Sequence, residues 1–188
     1  MLKKLSDWMC LVSTGWVALS ALVLFLLFTA LVLPGQASKS GADTGAAGSP
    51  DMSFYYTAAD LYQMAEVYGE EGREAYVRAR FSFDLVWPLI YTIFLSTAIS
   101  WVYGKAFVPG SMWQRANLVP VLGALLDYLE NISTSIVMVR YPSPTPVVDM
   151  LATVLTMAKW VFVGGSFALL VVGVLVGTWR WVRERAMQ

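Results

Sequence analysis

Four long apolar stretches alternate with polar segments along this chain: residues 9–33, 83–103, 117–139 and 148–178. A bilayer core of roughly 30 Å is crossed by about 20 apolar residues in an α-helix, so each stretch is long enough for one crossing. The first carries no charge, and at 9–33 it exceeds the roughly 7–15-residue core of a signal peptide, so it reads as a retained anchor. The fourth is long enough to tilt or to run beyond the bilayer.

The first polar segment has two parts. Residues 34–53 begin with Pro34-Gly35 and continue in Gly, Ala and Ser, the composition of a flexible linker. From Phe54 the pattern changes. Thr57-Ala58-Ala59-Asp60 has the spacing of a capping box with Asp in the place of Glu, and Ala58, Leu61, Met64, Ala65 and Tyr68 recur at helical spacing. Gly69 suits a helix end. Residues 54–80 are therefore expected to form short amphipathic helices on the outer face. The predicted fold is a single all-α integral membrane domain, a four-transmembrane-helix bundle with this short amphipathic helical segment in its first outer loop.

Composition strengthens that picture. The 188 residues are 57% hydrophobic and 14% charged, against about 25% charged in soluble domains. A net charge of zero gives no basic field for nucleic acid. With no histidine and only Cys10, the common general base, the common metal ligands and an internal disulfide are all missing. No metal site and no cofactor are expected. The Lys and Arg residues favour cytoplasmic N- and C-termini, and Trp and Tyr near the stretch ends fit interfacial anchors. A prokaryotic cytoplasmic (inner) membrane is the expected location. Gly173 and Gly177 have the spacing of a close helix crossing or a self-association face.

Charge inside the spans carries the functional signal. Asp84, Asp127, Glu130 and Lys159 fall within or at the edge of apolar stretches. Each costs roughly 2.5–3.5 kcal/mol at a helix centre, so such residues face protein or water. Asp127, Glu130 and Asn131 are spaced i, i+3, i+4 and share a face. At 1.5 Å per residue, Asp127 lies about 15 Å from one end of its span and Lys159 about 16 Å from the opposite end of the next, which is the same level. The short link 140–146 makes the two helices antiparallel neighbours. Lys159 is expected to meet Asp127 or Glu130. Arg80 can reach Asp84, Pro88 frees the Asp84 carbonyl, and Tyr91 lies two turns on along the same face.

The candidate ligand-binding residues are Asp84, Asp127, Glu130, Asn131, Lys159, Arg80 and Tyr91. The first functional expectation is a small membrane protein that binds a lipid-like or amphiphilic ligand, or serves as an accessory subunit. Membrane lipid, a membrane-protein partner or a second copy of the chain are the partners it implies. One alternative is an intramembrane enzyme on a lipid-like substrate, with Asp127 or Glu130 as acid or base and Lys159 as charge stabiliser. Another is a proton- or ion-coupled carrier working as an oligomer. Whether the chain is an enzyme stays open at this level.

Overall fold

The computed structural model describes residues 1–44 and 47–187, without the side chains of 42–44. It is 86% helical, with no strand among the described residues. Among the described residues seven α-helices follow one another: α1 Leu2–Val12, α2 Gly15–Leu31, α3 Leu33–Thr44, α4 Ala58–Arg80, α5 Phe83–Ala106, α6 Val119–Arg140 and α7 Val148–Ala186. Short 3-10 turns at Pro50–Met52 and Met112–Leu118 precede α4 and α6. Four helical runs are long and apolar enough to cross a membrane: Gly15–Gly41, Ala58–Ala106, Met112–Arg140 and Val148–Ala186.

The start of the chain differs from the expected single run over 9–33. Ser13 takes φ −83° and ψ 83°, which ends α1. The Thr14 hydroxyl then accepts the Val17 amide at 3.3 Å and starts α2. Residues 34–53, read as a linker, include the helix α3. Pro34 sits in its first turn, where a missing amide is tolerated. The part of that segment at 45–46 lies outside the described residues. In α4 the capping box of Thr57 and Asp60 is complete. At Gly69, φ is 64° and ψ is −174°, a conformation essentially reserved for glycine. The segment is thus two helical pieces joined at Gly69.

The residues group into two compact units. The first comprises Met1–Leu26, Ile90–Gly123 and Phe162–Gln188. Its polar tie is Asn117, fully buried, whose Nδ2 donates to Ser6 O at 3.2 Å and to Ser100 Oγ at 2.9 Å. The Ser6 hydroxyl donates in turn to Gln114 O. These bonds fasten α1 to the turn before α6. Phe25, Phe94 and Phe167 form an aromatic group, with Phe25 and Phe94 stacked at 4.8 Å. This unit carries seven Lys or Arg (Lys3, Lys4, Lys105, Arg115, Arg180, Arg183, Arg185) against Asp7 and Glu184, a net charge of +5.

The second unit comprises Leu27–Leu89 and Ala124–Val161. Here α4 lies against α6 and α7 through Tyr56, Leu61, Ala65, Tyr68, Tyr76, Val137, Met138 and Ala152. The Tyr62 hydroxyl donates to Asp149 at 3.1 Å and accepts the Thr145 amide at 2.7 Å, tying α4 to the start of α7. Six Lys or Arg face eleven Asp or Glu in this unit, a net charge of −5.

Of the most apolar 18 residues in the Gly15–Gly41 and Val148–Ala186 runs, only 11% are buried, against 56% for Met112–Arg140. Leu26, Val171 and Leu175 are more than half exposed. Apolar faces of that extent suit lipid rather than water.

Gly173 marks a close crossing within the first unit. A Cβ there would stand 2.8 Å from Tyr103 Cδ2 and 3.0 Å from Val102 Cγ1. The ring cannot move aside, because Tyr103 is 1% exposed and its hydroxyl donates to Leu169 O at 2.9 Å. At Gly164 a Cβ would meet nothing within 4 Å. Gly173→Ala is therefore expected to destabilise by about 1–3 kcal/mol, and Gly164→Ala not at all. Thermal unfolding of the two variants in the same detergent, followed by circular dichroism, checks the difference.

Candidate functional site

The second unit gathers four carboxyl groups and two cations into one buried cluster. Arg80 closes α4 and is 5% exposed. Its Nη1 lies 2.9 Å from Asp51 Oδ2 in the preceding turn, and its Nε lies 2.9 Å from Asp84 Oδ2, one helical turn on in α5. The Nε approach is an electrostatic contact rather than an aligned hydrogen bond. Tyr76, one turn earlier in α4, presents its ring 4.6 Å from the guanidinium carbon. One arginine thus binds together the Pro50–Met52 turn, α4 and α5.

Lys159 organises the other half. Its Nζ pairs closely with Glu130 and lies 3.8 Å from Asp127 Oδ1. Both acids come from one face of α6, as their i, i+3 spacing dictates. Glu130 is 1% exposed and takes a second bond from the Thr156 hydroxyl at 2.6 Å. Thr156 is one turn before Lys159 in α7, so the two groups that hold Glu130 are fixed by one helix. The Tyr56 hydroxyl lies 2.9 Å from Thr156 Oγ1. With Thr156 donating to Glu130, Tyr56 donates to Thr156. The result is a hydrogen-bonded line Tyr56–Thr156–Glu130 that ends on Lys159.

Tyr56 is also part of the floor of a groove of about 430 Å³, bordered by Ser53, Tyr55, Asp60, Gln63, Met64 and Val67. The line therefore runs from the buried charges to a residue of the groove floor, itself only 2% exposed and with its hydroxyl turned inward to Thr156. Asn131 is 3% exposed beside this face of α6, and its Nδ2 has no hydrogen-bond partner.

Electrostatics set the state of the two groups outside the helices. Burial pushes the Asp51 carboxyl up. The Arg80 guanidinium, the Lys159 ammonium and the Ser49 hydroxyl outweigh burial and hold it below the usual carboxylate range. Burial raises the Tyr56 phenol well above its ordinary value, with Glu130 and Asp51 adding to the effect, so it remains a neutral hydroxyl. If every carboxyl is ionised, Asp51, Asp84, Asp127 and Glu130 oppose only Arg80 and Lys159. The cluster then carries two excess negative charges.

Of the residues singled out in the sequence, Arg80, Asp84, Asp127, Glu130 and Lys159 meet in this cluster, and Asn131 lies on the same helix face. Tyr91 is buried in the first unit, and none of the contacts above involves it. The carbonyl of Leu85, next to the one that Pro88 frees, accepts the Tyr128 hydroxyl at 2.9 Å. Asp51, Tyr56 and Tyr76 were not anticipated as members. Asp51 stands in a Gly/Ser-rich stretch with no periodicity, and the tyrosines resemble ordinary interfacial anchors. Among the described residues no group of His, Cys, Asp or Glu is arranged to hold a metal ion. The chain has no significant match to a protein-family model, a curated protein or a solved structure.

Removing one partner of a buried ion pair leaves the other uncompensated, at a cost of about 3–5 kcal/mol. Lys159→Met is expected to lose about that much. Pairing it with Glu130→Gln should recover part of the loss, giving a clear coupling in a double-mutant cycle read by thermal unfolding.

Asp51 predicts a pH dependence. Its folded value is depressed, so its contribution is fully present above the unfolded value of about 3.9 and is lost as pH falls through the still lower folded value. Protection of residues 47–57 from hydrogen exchange, corrected for intrinsic rates, should be flat from pH 8 to pH 5. It should fall below about pH 4. Asp51→Asn should lower it at neutral pH and remove the acid step.

Proposed function

We propose that this chain is a multi-pass protein of a prokaryotic cytoplasmic membrane, with both termini on the cytoplasmic side, that binds a lipid-like amphiphile by its polar head. Membrane residence is supported by the four apolar helices and their exposed faces. The orientation is supported by the Lys and Arg beside the span ends: Lys3, Lys4, Lys105, Arg115, Arg180, Arg183 and Arg185 lie in the short segments at the two termini and between the second and third spans.

One observation carries the binding reading. The line Tyr56–Thr156–Glu130–Lys159 joins the groove to charges buried at considerable cost. The line brings those charges to within one side chain of the groove, since Tyr56 belongs to the groove floor while its hydroxyl turns inward to Thr156. Interhelical polar contacts in membranes are worth on average about 0.6 kcal/mol each, a poor return on the five buried charges Arg80, Asp84, Asp127, Glu130 and Lys159. In this reading the head lies in the groove, against Tyr55, Tyr56, Asp60 and Gln63. Glu130, Asp127 and Lys159 set the polarity of Tyr56 through Thr156. Asn131, with a buried unpartnered donor, supplies a further hydrogen bond. Arg80, with Asp51 and Asp84, holds the groove-bearing segment on α5. The excess of carboxyl groups favours a head that is cationic or donates hydrogen bonds and disfavours an anionic one.

Mass spectrometry of molecules that co-purify with the detergent-solubilised protein tests this. Wild type should retain a discrete amphiphile. Glu130→Gln, Lys159→Met and Tyr56→Phe, each confirmed as helical, should retain severalfold less of it. Unselective bulk lipid on wild type and on every folded variant would overturn the reading and leave the cluster as a bond between helices.

A further inference from the structure

The first unit holds a second cleft, of about 660 Å³, that the proposed head site does not use. Its long wall is one face of α5, where Phe94, Ala98, Trp101, Val102 and Lys105 recur at helical spacing. Residues 15–22 of α2 and two side chains of α7 complete it. From Phe94 to Lys105 the wall runs about 16 Å, the depth of one leaflet of the hydrocarbon core.

The two ends of the cleft differ in chemistry. At the Phe94 end the Phe25–Phe94–Phe167 group forms an apolar stop. The other end carries Trp16, Trp101 and Lys105, in the last turn of α5. The Lys105 ammonium lies over the Trp101 ring at 4.8 Å and remains exposed, free to meet a further group. The indole in turn packs on the backbone of α2, since a Cβ at Gly15 would stand 3.2 Å from Trp101 Nε1. Two indoles and a lysine at one end of an apolar slot have the composition of a membrane interface.

We infer that this cleft takes one acyl chain of an anionic glycerophospholipid, with the phosphate headgroup on Lys105. Charge selects the lipid: the unit that forms the cleft carries seven cations against two acids. Shape selects a chain, because the slot is apolar along a leaflet's depth and opens beside a single cation. The site is independent of the groove at Tyr56, and either can fail without the other.

Native mass spectrometry of the delipidated full-length protein, titrated with phosphatidylglycerol or phosphatidylcholine of identical acyl chains, tests the assignment. Wild type should retain phosphatidylglycerol about fivefold better, the value of one lysine at a membrane surface. Lys105→Gln should erase that preference, Lys105→Arg should keep it, and Leu19→Trp, which fills the slot, should lower retention of both lipids. Equal retention of the two lipids by wild type would overturn the inference. So would a preference unchanged in Lys105→Gln, or a lipid-free dimer in which a second copy covers the cleft. Helix content of each variant, read by circular dichroism, separates loss of the site from loss of the fold.

Discussion

Arg80 is the point on which the second unit depends. A guanidinium offers its donors in a rigid fork, so one side chain can hold two carboxylates on different segments at once. Here it takes Asp51 from the turn before α4 and Asp84 from the start of α5, at 2.9 Å each. A lysine ammonium has no such fork. Without Arg80, Asp51 and Asp84 would lie close together without their cation, and the segment over α6 and α7 would be held only by apolar packing and by the Tyr56 and Tyr62 hydrogen bonds. The tyrosines are themselves adapted to this centre. Tyr76 gives its face to the guanidinium, and Tyr56 passes its hydroxyl bond to Thr156 and so to Glu130.

Lys159 solves a different problem by the same means. Two acids one turn apart on α6 repel each other, and a single ammonium from α7 answers both. Thr156 then uses one of the remaining lone pairs of Glu130. The carboxylate is thereby oriented as well as neutralised, and orientation is what a binding or proton-handling group requires and a simple tether does not. The cost of burying these groups falls on the fold, and the hydrogen-bonded line that starts at Glu130 ends at Tyr56.

Much of this arrangement is written in the sequence. The i, i+3, i+4 spacing of Asp127, Glu130 and Asn131 and the common depth of Lys159 follow from helix geometry alone, and in the structure Lys159 touches both acids. The capping box at Thr57 and the glycine at 69 are equally local signals. Asp51 is not local. It stands at the end of a segment whose composition suggested a linker and reaches Arg80 across 29 positions of chain. Only tertiary packing of α4 brings it in. The break at Ser13 was hidden for a similar reason. Hydropathy runs through it, and the bonds from Asn117 that hold α1 separately from α2 come from residues 100 positions away or more.

In the proposed reading the two units would divide the work of recognition by charge. The second, with eleven acids to six bases, concentrates carboxyl groups around a short polar line and would disfavour anionic heads. The first, with the opposite balance, has a slot of one leaflet's depth with a lysine at its mouth, which would favour an anionic head. A lipid suited to one proposed site would then be poorly suited to the other. If the Lys105 cleft binds structural lipid from the bilayer, that lipid does not compete for the Tyr56 groove. Occupancy of the groove then reports on its own ligand, and a protein surrounded by a vast excess of phospholipid can still discriminate.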